Sequence, residues 1–267
     1  MSRVAAALIV SSAACVACSF LVDTSGLGGP DLPAGDASAD ASRPASDAAS
    51  DASSPADAEA AAPAGCTAFF CDDFERPAGD VLGAWSAVLT NAGGALAIAA
   101  GQGSNGSSAL RVRLPSSGTE SMRANLSKSM MTSKDVRLSF AMRLDAATTR
   151  EVHLAEVFGD GESRGVFLLF APGGQLKVAF QTYGSGGTYT DRTVAGFAPG
   201  TWQRYEIDVT TGVVPHAVVR LDDGEVASDD VPFPIEAVTQ VDLGSSFTRA
   251  GDAVDVFFDD VRVDVAK

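Results

Sequence analysis

The chain has 267 residues, of which 19 are Lys or Arg and 34 are Asp or Glu, so its formal net charge is −15. This acidic balance argues against nucleic acid or anionic lipid headgroups as partners, because phosphate binding needs a cationic surface. The chain has two histidines and no Cys-x-x-Cys motif near either of them, which argues against a zinc enzyme. Hydrophobic residues make up 46% of the chain, enough to build a core.

Residues 1–17 predict an export signal peptide, because a single early arginine precedes a short apolar run. The segment Cys15-Val-Ala-Cys18 at the end of this run resembles the lipobox of bacterial lipoproteins, with a cysteine where the usual leucine would stand. The resemblance implies cleavage before Cys18 and lipidation of its thiol. Lipidation of Cys15, an ordinary cleaved signal and an uncleaved anchor are the alternatives. All of them place the domain outside the cytoplasm, and Ser19 favours anchoring in the outer membrane.

Residues 18–65 are predicted to be the lipidated N-terminus and a disordered linker. Between Asp36 and Gly65 the chain is almost only Ala, Ser, Asp and Pro, and no Val, Ile, Leu or aromatic residue occurs from Ala34 to Ala68. A segment with nothing to bury stays disordered. We interpret it as a flexible tether; a remnant without a spacing role is the alternative.

Residues 66–267 are predicted to form an all-β domain. Val136–Leu144 alternates strictly between apolar and other side chains, which indicates a strand with one buried face. Asp222-Asp-Gly224, between two apolar runs, predicts a hairpin. Similar strand-like runs are Ser108–Leu114, Glu151–Phe158, Gly165–Phe170, Leu176–Tyr183, Trp202–Val209, Ala217–Leu221, Val238–Leu243 and Val254–Val265. This pattern of short strands, without any sustained helical period, is typical of a β-sandwich.

The order of these features resembles a laminin-G-like domain of the concanavalin A-like lectin/glucanase superfamily. The resemblance is carried by Phe70-Cys-Asp-Asp-Phe-Glu75, Trp85 in the next strand, Ser108–Val112, Gly200–Val209, Leu221-Asp-Asp-Gly224 and the closing Phe257-Phe-Asp-Asp-Val-Arg-Val263. It implies a jelly roll of two antiparallel sheets in which the first and last strands are neighbours. Such a fold does not by itself define a function.

Cys66 and Cys71 are the cysteine pair of the predicted domain. Outside the cytoplasm a close pair of this kind is expected to form a disulfide, which would fasten the first strand where the linker ends. A redox pair is less favoured, because redox cysteines are typically two residues apart at the start of a helix.

Three carboxylates are candidates for a structural calcium site. Asp72 and Asp73 lie at the first strand, and Asp259 lies in the last strand, where alternation places it on the apolar face with Phe257 and Val261. A carboxylate among apolar neighbours must be paired, hydrogen-bonded or bound to metal, and carboxylates suit Ca²⁺. The closing segment also resembles the last strand of family-16 glycoside hydrolases, where a structural calcium is common. The alternative is a set of solvated or arginine-paired carboxylates.

No complete catalytic motif is present in the sequence. Glu206-Ile-Asp208 resembles the acidic strand of family-16 glycoside hydrolases, but Thr211 stands where the third acid would be. Polysaccharide lyases of the same fold have a closing Tyr-x-Lys-x-Gly-x-Tyr-x-Gln pattern, and this region instead reads Val241-Asp-Leu-Gly244. We therefore identify no catalytic residues from the sequence.

Polar and aromatic side chains on predicted strands are the candidates for ligand binding: Arg143, His153, Gln181, Tyr183 and Tyr189. The leading hypothesis is a cell-envelope lipoprotein whose jelly roll binds carbohydrate or another surface partner without catalysis. The alternative is a polysaccharide lyase or glycoside hydrolase on the same fold, for which the first four of these residues would have to converge. A purely structural envelope protein is a third possibility.

Overall fold

A computed structural model describes residues 65–118, 121–160, 164–182 and 187–266. The described strands are β1 (Phe70–Asp72), β2 (Ala87–Asn91), β3 (Ala95–Ala99), β4 (Ala109–Leu114), β5 (Arg123–Ser133), β6 (Val136–Leu144), β7 (Val152–Gly159), β8 (Arg164–Ala171), β9 (Gln175–Thr182), β10 (Tyr189–Thr193), β11 (Gln203–Thr210), β12 (His216–Leu221), β13 (Gly224–Asp230), β14 (Val238–Ser245) and β15 (Val254–Val265). Within these ranges no helix is long and apolar enough to cross a membrane.

The strands form two antiparallel sheets. An eight-stranded sheet has the order β13-β12-β11-β6-β15-β4-β3, and β1 pairs with β15 beside this path. A seven-stranded sheet has the order β10-β9-β8-β7-β14-β5-β2. The predicted all-β fold with two antiparallel layers is confirmed, and so is the predicted pairing of the first strand with the last.

The core lies between the inner faces of the two sheets. On β6, Val136, Leu138 and Phe140 point inward and are buried, whereas the alternating Arg137 points outward. The Phe140 ring stacks on Tyr205 of β11, with ring centroids 5.7 Å apart. The alternation of apolar residues in the sequence therefore gives each strand one apolar face, and the apolar faces of the two sheets pack against each other.

The predicted hairpin is present between β12 and β13. Asp222 and Asp223 occupy its two turn positions with φ angles of 48° and 65°. Positive φ at both central residues matches the right-handed twist of the flanking strands, and aspartate tolerates it better than most residues. The predicted strands Val136–Leu144 and Val254–Val265 have the bounds observed for β6 and β15.

Strand β5 was not predicted, because one of its inward positions is a lysine. Ala124 and Leu126 face the core as alternation requires, but the next inward position is Lys128. Its ammonium group lies 4.7 Å from the centre of the Phe70 ring and donates to the carbonyl of Ala84. A lysine can hold such a position when its stem is packed and its charge is paired.

The face assigned to Asp259 from the sequence is wrong, because β15 contains a bulge. The register with β6 shifts between Asp259 and Arg262, and Asp260 has a φ of 49°. The extra residue reverses the alternation, so Phe258 and Val261 face the core while Asp259 faces outward.

The first described residues carry the predicted disulfide. Cys66 and Cys71 are bonded, with their Cα atoms 6.2 Å apart, and Cys71 lies within β1. The disulfide thus joins the start of the domain to its first strand. The predicted lipidation site Cys18 and nearly all of the predicted linker lie outside the described residues.

Candidate functional site

The outer face of the seven-stranded sheet, here called the pocket face, carries a group of polar side chains. On β9, Leu176 and Val178 point into the core, so Lys177 and Gln181 must point to the other side. On β8 the same alternation places Leu169 on the pocket face, directly opposite both Lys177 and His153 in the sheet register. Three neighbouring strands thus present these side chains to one surface.

A cavity of about 450 Å³ opens on the pocket face. It lies over β7 to β10 and beside the loop that follows β14. Its lining residues are Glu151, His153, Ala171, Pro172, Lys177, Gln181, Tyr189, Asp191, Phe247 and Arg249. A cavity of this size with several convergent polar groups is the usual form of a small-ligand or sugar site.

His153 is the buried polar group of this cavity, and Glu156 holds it. A regular strand would point residues three apart to opposite faces, but the register with β8 shifts between His153 and Ala155. This bulge brings both side chains to the pocket face, where His153 Nδ1 lies 2.6 Å from Glu156 Oε1. In the tautomer that carries its hydrogen on Nδ1, the ring donates to this carboxylate and Nε2 is the acceptor.

Glu156 is itself fully buried, with a relative exposure of 0%. Its Oε1 atom also accepts a hydrogen bond from the Ser246 hydroxyl, and its Oε2 atom has no partner within the described part of the chain. The His153 ring packs between Phe167 and Phe247, with centroid distances of 5.2 and 5.3 Å. The imidazole is therefore fixed in position and orientation.

Two ion pairs supply the charges of the cavity. Lys177 Nζ lies 3.1 Å from an Asp191 carboxylate oxygen, and Arg249 Nε lies 3.1 Å from Glu151 Oε2. The cavity thus contains two cations and two carboxylates. Each cation is oriented by its partner, and the formal charges of these four groups cancel.

Tyr189 lies at the rim of the cavity and is 50% exposed. Burial of part of the ring, together with the charge of and a hydrogen bond to Asp191, raises the pKa of Tyr189 to about 12. The phenol therefore keeps its proton at neutral pH and can donate a hydrogen bond.

The loop that carries Phe247 and Arg249 is held by Arg150, a fully buried residue with a relative exposure of 1%. The Arg150 guanidinium donates to the carbonyls of Arg249 and Asp252 at 2.6 and 2.8 Å, and to that of Pro115 at 2.9 Å. Burial lowers the pKa of Arg150, although the charge of Asp252 opposes the shift. The guanidinium thus ties this loop to the end of β4.

The structure brings three of the predicted ligand-binding residues together and separates a fourth. His153, Gln181 and Tyr189 line one cavity, whereas Tyr183 lies outside the described residues. Arg143 lies on the outer face of the other sheet, where its guanidinium is 4.4 Å from the centre of the Phe257 ring and pairs with Asp145 at 2.9 Å. The convergence of Arg143 with His153 that a lyase was expected to need is therefore absent, because β6 belongs to the eight-stranded sheet; a lyase could use only the cations that do line the cavity, Lys177 and Arg249.

Arg249, Lys177, Asp191 and Glu151 were missed from the sequence. Lys177 could have been found, because it lies four residues before Gln181 on one strand and so shares its face. Arg249 has no comparable signal. It reaches the cavity on a loop, and its position depends on tertiary contacts.

The three predicted calcium ligands lie in separate hydrogen-bond networks. Asp72 accepts hydrogen bonds from Trp85 Nε1 at 2.6 Å and from Arg76 Nη1 at 2.5 Å. Asp259 Oδ2 accepts from the backbone and hydroxyl of Ser104 at 2.8 and 3.0 Å, and Asp73 accepts from a backbone amide of its own turn.

Asp72 pairs with Arg76, as the alternative of arginine-paired carboxylates expects, whereas Asp259 and Asp73 accept from a serine and a backbone amide. Asp72 is the register partner of the inward-facing Val261, whereas Asp259 faces outward, so the two do not share a face. Within the described ranges no group of three or more His, Cys, Asp or Glu side chains is placed to hold a metal. The calcium site stays a prediction.

The hydrolase-like acids form a surface ion-pair network away from the cavity. Glu206 and Asp208 project from the outer face of β11, and both pair with Arg220, while Arg137 lies 2.6 Å from Asp208. Burial raises the pKa of Asp208, but the hydrogen bonds from Arg137 and Arg220 outweigh it and leave the pKa below its ordinary value. These acids are paired with arginines and are not among the residues that line the cavity on the pocket face.

No protein-family model matches the sequence, and no curated protein matches it. The chain is similar to the endo-β-1,4-glucuronan lyase of the fungus Trichoderma reesei, with 15% identity over 75% of this chain and 96% of that chain and a TM-score of 0.58. It is also similar to alginate lyase Aly36B, with 11% identity over 74% of this chain and 96% of that one and a TM-score of 0.57.

A third similar structure is the cellulose-induced protein Cip1, with 15% identity over 73% of this chain and 96% of that chain and a TM-score of 0.54. At identities this low, the structural similarity shows the fold and nothing finer. The fold is a concanavalin A-like jelly roll. The cavity described above lies on one of its two sheets.

Proposed function

We propose that the pocket face binds an acidic polysaccharide and cleaves it by β-elimination. The observation that carries the proposal is the His153 ring, held at Nδ1 by Glu156, in a cavity that also holds Arg249, Lys177 and the protonated Tyr189. Two of the three similar structures described above are polysaccharide lyases by name, which supports the same reaction class.

The reaction needs three roles, and the cavity offers a side chain for each. Arg249 and Lys177 would pair with the uronate carboxylate and so acidify the neighbouring C–H group. His153 Nε2 would take that proton; the electron pair of the C–H bond forms a carbon–carbon double bond, and the glycosidic C–O bond breaks. Tyr189 would give its proton to the leaving oxygen. One proton enters at the histidine and one leaves from the tyrosine, so the step is balanced.

Incubation of the full chain with alginate, glucuronan and pectate tests the proposal. The product would be an unsaturated uronate, whose conjugated double bond absorbs in the ultraviolet. We expect His153→Ala to abolish this absorbance and Arg143→Gln, on the other sheet, to retain it. No unsaturated product from any polyuronate would overturn the proposal.

A second candidate is glycan binding without catalysis. The observation in its favour is that both cavity cations are already paired with carboxylates, which suits a hydroxyl-rich sugar as well as an acidic one. Sequence departures from the lyase closing pattern at Val241–Gly244 agree with it. Binding of a polysaccharide without any unsaturated product would favour this candidate.

We also propose that the domain acts outside the cytoplasm on a lipid anchor at Cys18. The Cys66–Cys71 disulfide supports an oxidising compartment, where such bonds persist. Expression in a bacterial host with a labelled fatty acid tests the anchor. We expect label and membrane fractionation for the parent chain and the loss of both for Cys18→Ala.

A further inference from the structure

The edge strands on the two sides of the sandwich differ in charge. On one side, β10 contains Asp191 and Arg192, and β13 contains three acidic residues. Charged side chains on an edge strand oppose its pairing with another chain. On the other side, β2 and β3 are Ala-Val-Leu-Thr-Asn and Ala-Leu-Ala-Ile-Ala, and no charged residue or histidine occurs from Val81 to Leu110. This side of the sandwich therefore has no charge that would oppose a partner strand.

Strand β3 is the uncharged edge of the eight-stranded sheet. Among the described strands it pairs only with β4, so a row of its backbone N–H and C=O groups faces away from the sheet without a strand partner. Leu96 and Ile98 face the core, whereas Ala97, the register partner of Arg111, is exposed on the outer face. The strand contains no proline, no charge and no bulge, which are the features that commonly block an edge.

The sequence of β3 is symmetric about Ala97. Alanine stands at its first, third and fifth positions, and a large apolar residue stands at the second and the fourth. If a second copy of the strand pairs antiparallel about a two-fold axis at Ala97, Leu96 lies opposite Ile98 of that copy, and the two Ala97 residues lie opposite each other. The apolar inner face then continues from one sheet into the next, and all outward positions of the new pair are alanine.

Charge also favours a second copy as the partner at this edge. The chain carries a net charge of −15, so two copies repel over most of their surface, but not where β3 meets β3. Arg111 is bound by Asp255, with Nε 2.8 Å from Oδ1. The Arg111 residues of the two copies would be three strand spacings apart, about 14 Å, which is beyond the Debye length of about 8 Å. Residues 36–65 suit this edge poorly, because alanine, aspartate and proline are depleted in strands.

We infer that a second copy of this chain pairs with β3, so that two eight-stranded sheets become one continuous sheet. The two-fold axis is perpendicular to this sheet, because opposite residues of antiparallel strands project to the same face. The pocket faces of the two copies therefore point in the same direction. Two cavities on one surface would bind a polymer with higher avidity than one cavity. The dimer itself does not rest on the proposed function.

Sedimentation velocity of the full chain over a series of concentrations tests the inference. We expect a monomer–dimer equilibrium with a dissociation constant of about 10–100 µM, because so short an edge buries less area than a standard interface. Ala97→Lys and Ala97→Glu should each leave only monomer, since like charges would lie directly opposite each other. An equimolar mixture of the two variants should restore the dimer through the Lys–Glu pair. Thr190→Lys, at an exposed position of the charged edge strand β10, is the matched control and should dimerise like the parent.

A second measurement needs no variant. Amide hydrogen exchange of β3 in the parent chain should be slower at a high protein concentration than at a low one, whereas exchange of β10 should not depend on concentration. Equal exchange of β3 at both concentrations would overturn the dimer.

Four further results would overturn the inference. They are a parent chain that is monomeric up to about 1 mM, a dimer that Ala97→Lys leaves intact, a mixture of the two variants that stays monomeric, and an oligomer larger than the dimer, since a two-fold axis closes with two copies. None of these results bears on the elimination reaction, which the unsaturated product tests separately.

Discussion

His153 and Glu156 form a buried pair across 2.6 Å, although they are three residues apart on a strand. The bulge after His153 is what makes the pair possible, because it brings two side chains to one face that would otherwise point apart. One local irregularity therefore brings the imidazole and its buried carboxylate partner together.

Glu156→Ala should lower both stability and ligand binding. It removes the acceptor of His153 and of Ser246, and a buried donor without a partner costs about 1–3 kcal/mol. Urea unfolding measures the loss, and Glu225→Ala, at an exposed position of β13, should be close to neutral. Equal stability of the two variants would show that the buried pair does not stabilise the fold.

Tyr189→Phe should leave the fold intact and reduce turnover on a cleaved polyuronate by about 100-fold, the usual contribution of a general acid. Because the pKa of Tyr189 is raised to about 12, the parent enzyme should show no loss of rate from its ionisation at pH values below that range. The pH dependence of kcat for both proteins checks this. A variant with unchanged kcat would remove Tyr189 from the role of proton donor.

Arg150→Met should destabilise the protein by about 3 kcal/mol, because it leaves several buried carbonyl groups without a donor. It should also weaken glycan binding, since the loop with Phe247 and Arg249 loses its attachment. Arg192→Met is the control, because that side chain is 59% exposed and surface changes are nearly neutral. Thermal unfolding measures the stability of both variants, and titration with the glycan measures their binding. Full stability of Arg150→Met would contradict the role of Arg150 in holding this loop.

Asp208→Asn should cost about 0.5–1 kcal/mol at neutral pH, the range of a surface ion pair. The folded-state pKa of Asp208 lies below its ordinary value of 3.8, so its stabilising contribution is present above that value. The contribution is lost as the pH falls through the lower, folded-state pKa. The unfolding free energies of the parent protein and Asp208→Asn should therefore differ at neutral pH and agree at strongly acidic pH. A difference that does not depend on pH would contradict the ion pair as its cause.

Reduction of the Cys66–Cys71 bond should lower stability by about 2 kcal/mol, a modest loss because the closed loop is short. Cys66→Ser, Cys71→Ser and the double variant should all match the reduced parent in thermal unfolding. A single variant less stable than the double variant would mean that the free thiol, rather than the missing bond, is responsible.

The sequence predicts this fold well because its signal is a period of two, which is local. The alternation within Val136–Leu144 indicates which face of that strand is buried, and Asp222-Asp-Gly224 indicates a turn. Prediction failed where tertiary contacts override the pattern: at Lys128, which faces inward beneath Phe70, and at Asp259, whose face is changed by a bulge.

The site was only partly predictable for the same reason. His153 and Gln181 could be found as polar residues on strands, but which sheet each strand joins is not a local property. Arg143 was therefore grouped with His153 although β6 lies in the other layer. Arg249 reaches the cavity through a loop held by the distant Arg150, which no short sequence window contains.

Strand β15 lies between β6 and β4 and also pairs with β1, so one sheet has its middle supplied by the segment synthesised after all its neighbours. Until β15 has been synthesised, β4 and β6, which flank it in the sheet, have no strand between them. Pairing segments so distant along the chain slows folding, because the long connections between them must close first.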